Sequence, residues 1–401
     1  MDRRLLSLTV ENFRSLRKIS LPLGDLNVLV GPNGAGKTNV LEIFRFLSDM
    51  IRTDLQPALD SRQGFNEILF RGEGSDDFVK IGLTALWTEE SSASAPDEYE
   101  LYVARGDEDQ RPDAGLTRRE TFRFSRGRGR TISVDGNRVT VVDADGKSLN
   151  DFGIQPLSSG LSTLPRLDHE AGGTEVAAFA GHLASFRVFD VDVPAARQPD
   201  RVPRHKELQA DICRLEDDAR GLASFLYFLS RVHEESWERL VADAVSVLPN
   251  VRDIRFDFPS GAAREVIVVL EEEGLRRPTQ LGDASYGTVR LLGLLALLHD
   301  PIPATITCIE EIDHGLHPQA LELPVERLRE ASDHTQFIIA THSPAFADRL
   351  RPEELIVCER LPDGSSAIPA LPLSDVKRIV RESEGLPLGE LWFSGALGGD
   401  L

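Results

Sequence analysis

The sequence predicts an α/β fold: a domain built on mixed sheets, interrupted by a helical insertion and lacking a long coiled coil. Three observations predict it. Alternating and apolar runs typical of strands occur in both the first and the last third of the chain. A glycine-rich loop joins an apolar strand at Leu26–Val30 to an amphipathic helix beginning near Asn39. A second apolar strand, Thr305–Ile309, ends in the acidic pair Glu310 and Glu311.

The chain order divides into three predicted regions. Residues 1–150 hold the glycine-rich loop and a β-rich part, and residues 151–250 are predicted to be a helical insertion with helices at Lys206–Asp217 and Gly221–Leu248. Residues 251–401 alternate between strands and helices, and no heptad repeat persists along the chain. Because the loop and the acidic pair must meet if they serve one ligand, we predict one split domain with lobes at 1–150 and 251–401.

The other elements are predicted from periodicity and from turn signals. Strands are expected at residues 5–12 and 16–23, and at Val79–Trp87, Glu98–Arg105, Glu120–Phe124, Thr131–Val134, Arg138–Val142, Val251–Phe258, Glu265–Glu271 and Thr335–Ala340. Helices are expected at Tyr286–Leu298 and Gln319–Ala331. The tripeptide Asp135-Gly136-Asn137 indicates a hairpin between two of these strands.

Composition excludes several classes of protein. The 401-residue chain has a formal net charge of −20, so no general affinity for nucleic acid follows from its composition, and such a contact would need a local basic patch. The longest apolar run, Leu291–Leu298, is far shorter than the ~20 residues that span a bilayer. The N-terminus shows no apolar signal core. We therefore expect a cytoplasmic protein with no membrane partner.

The glycine-rich loop has the pattern of a phosphate-binding loop. Gly31–Thr38 fits G-x-x-x-x-G-K-[ST] at every fixed position, with a strand before it and a helix after it. Its backbone N–H groups and the helix N-terminus would face phosphate oxygens, Lys37 would reach the β- and γ-phosphates of ATP, and Thr38 would hold Mg²⁺. The predicted nucleotide-binding residues in this segment are Asn33, Gly34, Ala35, Gly36, Lys37, Thr38 and Asn39.

The acidic strand end supplies the second half of this chemistry. In α/β sheets, ligands bind at the carboxyl ends of strands, where Glu310 and Glu311 stand. Glu310 is predicted to order Mg²⁺ through its waters, and Glu311 to polarise an attacking water molecule. The first position of such a pair is usually Asp, and the longer Glu310 side chain can also contact Mg²⁺ through the water molecules of the ion.

Taken together, these motifs resemble a known group. The phosphate loop, Ala284-Ser285-Tyr286-Gly287-Thr288 before a helix, the Glu310-Glu311 strand and Thr341-His342-Ser343-Pro344 occur in ABC-type order. Glu-Asn-Phe-Arg-Ser at 11–15 and Gly315-Leu316-His317-Pro318 also resemble that group. The set is similar to the ATPase heads of SMC proteins, RecF-type repair ATPases and related predicted ATPases. The resemblance implies a P-loop NTPase of the ABC-type ATPase head class.

The resemblance also assigns roles to particular residues. Glu311 would be the general base of ATP hydrolysis, and His342 would be a switch histidine that senses the γ-phosphate. Ser285 and Gly287 would form the signature that caps the nucleotide of a second subunit, so a homodimer of heads around ATP is implied. Asp313–His317 would link the two sites, and Arg14 is a candidate phosphate contact. The signature departs from its usual form at Ala284 and Tyr286. The resemblance also implies a loop with a glutamine that couples the head to its insertion, and Gln63 and Gln155 are both candidates for that glutamine.

Three functions are compatible with these expectations. The first is an ATPase switch that controls a partner protein or a nucleic acid; relatives of this type often work in DNA repair or in defence against phage, with a separate nuclease or toxin subunit. The second is a transporter ATPase subunit, and the third is a non-hydrolysing ATP-dependent scaffold. Because 59 residues follow His342, too few for the nuclease domain of some relatives, we expect no intrinsic nuclease activity.

One dense basic stretch stands apart from these motifs. It consists of Arg118, Arg119, Arg123, Arg126, Arg128 and Arg130. On a β-hairpin these side chains could grip nucleic-acid phosphates, or they could form a solvated face. The second interpretation is favoured, because no aromatic platform interleaves them beyond Phe122 and Phe124.

Overall fold

The computed structural model of the chain describes residues 4–74, 76–106, 115–124, 129–166, 173–209, 213–259 and 264–398. The elements up to residue 153 are β1 (Leu5–Phe13), β2 (Leu16–Pro22), β3 (Leu26–Val30), α1 (Lys37–Arg52), α2 (Leu55–Asp60), α3 (Phe65–Ile68), β4 (Phe78–Ala85), β5 (Asp97–Arg105), β6 (Leu116–Phe124), β7 (Thr131–Asp135), β8 (Arg138–Val142) and β9 (Ser148–Gly153).

The middle of the chain is mainly helical. Its elements are α4 (Gly160–Thr163), a 3₁₀ turn (Leu164–Arg166), α5 (Gly173–Ala184), β10 (Arg187–Phe189), α6 (Val193–Ala196), β11 (Asp200–Arg201), α7 (His205–Gln209), α8 (Leu222–Val232) and α9 (Glu234–Val247).

The last part alternates between strands and helices. Its elements are β12 (Val251–Asp257), β13 (Glu265–Glu272), β14 (Thr279–Gln280), a 3₁₀ turn (Leu281–Asp283), α10 (Tyr286–Leu298), β15 (Ile306–Glu310), a 3₁₀ turn (Pro318–Leu321), α11 (Glu322–Ala331), β16 (Gln336–Thr341), α12 (Pro344–Ala347), β17 (Leu355–Val357), β18 (Glu359–Arg360), β19 (Ser366–Ala367), α13 (Leu373–Glu382) and α14 (Leu388–Phe393).

An eight-stranded antiparallel sheet forms one layer of the molecule. Its strand order is β2-β1-β4-β5-β6-β7-β8-β9. Side chains alternate along its strands, so in β4 Val79, Ile81 and Leu83 are buried while the residues between them are half-buried. Helix α5 covers this inner face, where Phe179 packs edge-on against Trp87 with ring centroids 4.6 Å apart. The buried face and the helices over it form the first hydrophobic core.

A five-stranded parallel sheet forms the second layer, in the order β10-β15-β16-β3-β17. Its strands are buried on both faces, which is typical of parallel sheets. Along β3, Leu29 belongs to the first core, whereas Val28 and Val30 belong to a second core with α8, α9 and α10. Since the strands are parallel and in register, Val30, Glu310 and Thr341 lie at one edge of the sheet. Strand β3, from the first predicted lobe, thus lies between β16 and β17 of the last lobe.

Several sequence predictions agree with this structure. Strand Leu26–Val30, helix Tyr286–Leu298 and strand Arg138–Val142 have the predicted bounds, and β7 and β8 form the predicted hairpin around Gly136-Asn137. The other predicted strands are present with bounds that differ by a few residues. Within the described ranges, no helix combines the length and the apolar character that are needed to cross a bilayer.

The prediction for the middle of the chain is wrong in three places. Arg187–Phe189 is a strand, because its backbone pairs with β15 from Arg187↔Thr307 to Phe189↔Ile309. Of the helix predicted at Lys206–Asp217, the described residues up to 209 form α7 (His205–Gln209), whereas residues 213–217 are not helical. The carbonyl oxygen of Asp217 accepts the backbone N–H of Asp190 at 3.0 Å. The helix predicted at Gly221–Leu248 is broken at His233, where φ is −126° and ψ is 64°. The region bounds at 150 and 250 stay predictions.

Candidate functional site

The Gly31–Thr38 loop leaves the end of β3 and turns directly into α1, which begins at Lys37. Gly31 lies so close to the neighbouring strand end that a Cβ there would stand 2.3 Å from the carbonyl oxygen of Cys358. Gly36 has a φ of 101°, and a Cβ there would stand 2.3 Å from the hydroxyl oxygen of Ser366. The loop therefore takes this conformation only with glycine at these positions.

Lys37 lies inside this loop and is only 5% exposed. Its ammonium group donates to the carbonyl oxygens of Gly31, at 2.7 Å, and Pro32, at 3.0 Å. Burial lowers the pKa of Lys37 to about 8, and the nearby carboxylate of Glu311 opposes this shift. A phosphate group can replace these two carbonyl partners and would favour the charged ammonium form.

His342 follows β16 and lies at the same edge of the sheet. Its Nδ1 atom is 3.3 Å from the Lys37 ammonium nitrogen. Desolvation and then the charge of Lys37 lower the pKa of His342, so the ring is neutral at pH 7. Two residues that are 305 positions apart in the chain therefore meet directly, as the motif order predicts.

Glu311 comes next to the loop from a third segment. Its backbone has a φ of 46°, and its N–H donates to the carbonyl oxygen of Ala340 at 3.0 Å. The side chain is 59% exposed, with Oε2 at 3.3 Å from Nδ1 of His314. Glu311 and His342 line one cavity of ≈370 Å³ together with Gly31 and the rest of the loop's first turn. A water molecule in this cavity would be within reach of the carboxylate.

Glu310 is suited to hold a metal ion at this edge. Its Oε2 atom accepts from Nη2 of Arg45 at 3.2 Å, whereas Oε1 is buried and has no hydrogen-bond partner among the described residues. Thr38 is exposed at the start of α1. Within the described ranges, no group of three or more His, Cys, Asp or Glu side chains could hold a metal alone. Mg²⁺ fits this donor set, since it commonly takes one or two protein oxygens and completes its shell with phosphate and water.

Ser285 and Gly287 do not line the cavity of Glu311 and His342. Ser285 is the N-cap of α10, and its hydroxyl oxygen accepts the backbone N–H of Thr288 at 3.1 Å. Gly287 packs against the loop after Glu311, where a Cβ would stand 2.3 Å from the carbonyl oxygen of Gly315. Packing within its own chain therefore explains why residue 287 is a glycine. Ser285 is exposed at the N-terminus of α10.

A second cavity, of ≈970 Å³, lies beside the start of α1 and the β1–β2 turn. Arg14, Asn39 and Gln63 line it, so Gln63 lies near the loop while the carbonyl oxygen of Gln155 faces Arg118 in the antiparallel sheet. The side-chain amide of Asn39 donates to Ser15 Oγ at 2.7 Å and ties α1 to the β1–β2 turn. The larger cavity therefore lies beside the start of α1, whereas Glu311 and His342 line the smaller one.

Two residues of this region carried no signal in the sequence. Arg360 lines the larger cavity and donates to the carbonyl oxygen of Gly34 at 3.4 Å. Trp392 lines the smaller cavity, is 3% exposed, and its Nε1 has no hydrogen-bond partner among the described residues. Both come from the C-terminal part of the chain, which approaches the loop only in the folded state.

The basic stretch in β6 and β7 differs from the expected solvated face. Arg118 and Arg130 are buried: alternate residues of β6, among them Arg118, face the core, and Arg130 lies immediately before β7. Arg119 and Arg123 are exposed, and they pair with Asp135 and Glu98. The expectation was therefore wrong for Arg118 and Arg130. Arg126 and Arg128 lie outside the described residues.

Comparison with known proteins agrees with this geometry. A family described as "AAA domain, putative AbiEii toxin, Type IV TA system" matches residues 181–348, and a family described as "AAA ATPase domain" matches residues 4–88. The OLD nuclease of Thermus scotoductus is 49% identical over 363 residues, which are 87% of this chain and 60% of that protein. The chain thus spans about three fifths of the length of this curated relative.

Two solved structures share the fold. One is an SMC head bound to the C-winged helix domain of ScpA, with 13% identity and a TM-score of 0.50, covering 91% of this chain and 96% of that one. The other is an Smc head domain with an extended coiled coil, bound to the C-terminal domain of ScpA and derived from Pyrococcus furiosus. It has 13% identity and a TM-score of 0.53, covering 95% of this chain and 100% of that one. These matches confirm the fold class that the sequence predicts.

Proposed function

We propose, from the premise that this chain is an ATPase head of the SMC/RecF type, that it binds Mg²⁺–ATP at Gly31–Thr38 and hydrolyses it. The observation that carries the proposal is the meeting of Lys37, Glu311 and His342 at one edge of the parallel sheet. The three residues come from distant segments, and each has a group whose present partners a phosphate or a water molecule can replace.

The nucleotide would lie along the loop between the two cavities. The triphosphate would be held by the backbone N–H groups of the loop, the N-terminus of α1 and the Lys37 ammonium group. The ≈970 Å³ cavity beside Asn39 has room for the nucleoside, and the ≈370 Å³ cavity would receive the γ-phosphate end. Arg14 and Arg360 line the nucleoside side and would add positive charge there.

Glu311 would act as the general base. Its exposed carboxylate can accept the proton of a water molecule in the smaller cavity while that water attacks the γ-phosphate. The neutral ring of His342 can donate one hydrogen bond to a γ-phosphate oxygen beside Lys37. Mg²⁺, which Thr38 and Glu310 would hold, supplies neutralisation of the charge on the β- and γ-phosphate oxygens.

A second copy of the chain would complete each site. The exposed N-terminus of α10, with Ser285 as its cap, has unpaired N–H groups and a positive dipole end that suit the triphosphate bound to a partner. We propose that ATP thereby assembles a homodimer of heads. We further propose that this dimer switches a nucleic acid or a nucleic-acid-directed effector in repair or antiviral defence, which the similarity to a nuclease supports.

The test replaces Glu311 with Gln. ATP hydrolysis should fall by about 10²–10⁴-fold, the range that a general base contributes, while ATP remains bound and the protein accumulates as a dimer. Hydrolysis is measured by phosphate release, and mass in solution by light scattering with and without ATP. Glu89→Gln, the same change in an exposed loop of the antiparallel sheet, is the matched control and should behave as the wild type.

Two results would contradict the proposal. One is a Glu311→Gln variant that hydrolyses ATP at the wild-type rate. The other is a Lys37→Ala variant that keeps wild-type affinity, because loss of a charged hydrogen-bond donor to phosphate should weaken binding by roughly 10- to 100-fold. A wild-type protein that binds ATP and dimerises without any hydrolysis would instead support the scaffold alternative, and co-purification with a membrane protein would support the transporter alternative.

A further inference from the structure

Arg290 is a buried arginine of α10 that the reaction described above does not use. It stands one turn after the Ser285 cap and is 6% exposed. Its Nη2 atom donates to the carbonyl oxygen of Glu311 at 3.0 Å. Its Nη1 atom donates to the carbonyl oxygen of Val191 at 3.3 Å and lies 3.5 Å from Oδ1 of Asp190. One guanidinium group therefore joins α10, the end of β10 and the end of β15.

Glu311 needs such a support because of its backbone conformation. Its φ of 46° lies in the left-handed region, which residues with a side chain rarely adopt and which persists only where neighbours fix it. The N–H of Glu311 is fixed by the carbonyl oxygen of Ala340, and its carbonyl oxygen is fixed by Arg290. This conformation directs the carboxylate of Glu311 to the cavity that it shares with His342.

The start of α10 also packs against the loop that follows Glu311. A Cβ on Gly287 would clash with the carbonyl oxygen of Gly315, and a Cβ on Gly315 would clash with the ring of Tyr286. The rings of Tyr286 and His314 have centroids 5.5 Å apart, and the Arg290 guanidinium lies 5.9 Å from the Tyr286 ring centroid. A displacement of the start of α10 must therefore move the Glu311 turn.

We propose that Arg290 is a positioning residue, which aligns the Glu311 carboxylate for hydrolysis and transmits to it the placement of the Ser285 end of α10. This inference rests on the proposed function, in which Ser285 meets the partner's nucleotide and Glu311 serves the chain's own. Binding of ATP against Ser285 in one site would thus set the geometry of the base in the other site.

The side chain has to be arginine for this role. The guanidinium is a planar fork that donates from two nitrogens to two carbonyl oxygens on different segments at once. A lysine at the same place keeps the charge but presents a single nitrogen, so it cannot hold both carbonyls in one geometry. Arg290→Lys therefore separates positioning from charge and from burial.

The experiment compares Arg290→Lys, Glu311→Gln and the double variant in steady-state ATP hydrolysis and in equilibrium ATP binding. For Arg290→Lys we expect kcat to fall by about 10- to 100-fold, as for a misplaced catalytic group, with the Kd for ATP within twofold of the wild type. The ATP-bound dimer should accumulate, as we also expect for Glu311→Gln. In the double variant, Arg290→Lys should cause no further loss, because it acts through the Glu311 carboxylate.

Arg187→Lys is the matched control. Arg187 also donates to a carbonyl oxygen, that of Leu215 at 2.8 Å, and pairs with the carboxylate of Asp217, but it stands at the opposite end of β10. It should lower the melting temperature as Arg290→Lys does, with kcat unchanged. The proposal is overturned if Arg290→Lys keeps wild-type kcat, if it weakens ATP binding as much as turnover, or if the two losses multiply in the double variant. A Glu311→Gln variant with full activity would instead overturn the proposed function itself.

Discussion

Two clusters, one around Lys37 and one around Arg118, each hold a buried cation that donates to backbone carbonyl oxygens, and they differ in what surrounds that cation. Lys37 donates to Gly31 and Pro32 in the phosphate loop. Arg118, in the antiparallel sheet, donates through Nη2 to the carbonyl oxygen of Gly136 at 2.8 Å and to two further carbonyls. Burial of a cation is therefore common to both clusters and does not distinguish a site from a core.

The anions of the two clusters show the difference. Glu120 is fully buried at 3.5 Å from Arg118, accepts hydrogen bonds from the backbone N–H of Gly160 and the hydroxyl of Tyr99, and has a pKa that burial raises. Glu311 is mostly exposed at the edge of a cavity, in a left-handed backbone conformation. An open cavity and a strained backbone identify the site, whereas the closed cluster joins strands.

The largest expected effect breaks the closed cluster. Arg118→Met leaves Glu120 without its cation in the core, so the free energy of unfolding should fall by about 3–5 kcal/mol, the usual loss when one partner of a buried pair is removed. Urea unfolding followed by circular dichroism measures it. The Kd for ATP of the folded protein should not change, because this cluster lines neither cavity at the loop.

Arg123→Met is the control for this prediction. Arg123 lies on the same strand but is exposed, and it pairs with the exposed Glu98. Such surface pairs contribute about 0–1 kcal/mol, so its loss should be small. A destabilisation of less than about 1 kcal/mol by Arg118→Met, or a specific loss of ATP binding, would remove the distinction between the two clusters.

The next effect concerns the open cluster and depends on pH. Lys37 has a pKa of about 8 without nucleotide, and a bound phosphate would raise that pKa. Below pH 8 both the free and the bound protein carry the charge, so affinity is constant. Above pH 8 the free protein loses its proton first, and the Kd for ATP should rise by up to about tenfold per pH unit.

Titration of ATP binding by calorimetry between pH 7 and 9.5 measures this slope. Lys37→Met is the control: its affinity should be weaker throughout and should not change with pH in this range, because the titrating group is gone. A wild-type Kd that stays flat up to pH 9.5 would mean that Lys37 is not the group that takes up a proton when ATP binds. The closed cluster offers no such response, since Glu120 and Tyr99 are sealed from solvent.

The sequence predicts the elements that are specified locally. Leu26–Val30 and Tyr286–Leu298 have their predicted bounds because each is a mainly apolar run that ends at a glycine-rich loop or begins at a serine cap. Arg187–Phe189 could not be predicted in this way. It is three residues long, and it is a strand only because β15 lies beside it. Pairing partners of this kind are set by the whole fold.

The same division applies to the candidate site. Lys37, Glu311 and His342 belong to motifs, so their spacing and flanking strands identify them. Arg360 and Arg290 have no such pattern around them. Arg360 reaches the carbonyl of Gly34, which is 326 positions away in the chain, and the contact of Arg290 with Glu311 depends on how α10 packs. Side chains that support a site from other elements become visible only in the tertiary structure.

The smallest expected effect concerns two tryptophans, Trp392 beside the open cavity and Trp87 in the core of the antiparallel sheet. Among the described residues, the indole N–H groups of Trp87 and Trp392 are both buried without a hydrogen-bond partner, but only Trp392 lines the cavity of Glu311 and His342. ATP should therefore change the fluorescence of Trp392 and leave that of Trp87 unchanged. Trp392→Phe should abolish the ATP-dependent change at a cost of less than about 1.5 kcal/mol in stability, and Trp87→Phe should retain it. A signal that survives Trp392→Phe and is lost in Trp87→Phe would place the nucleotide response in the closed region and reverse the comparison.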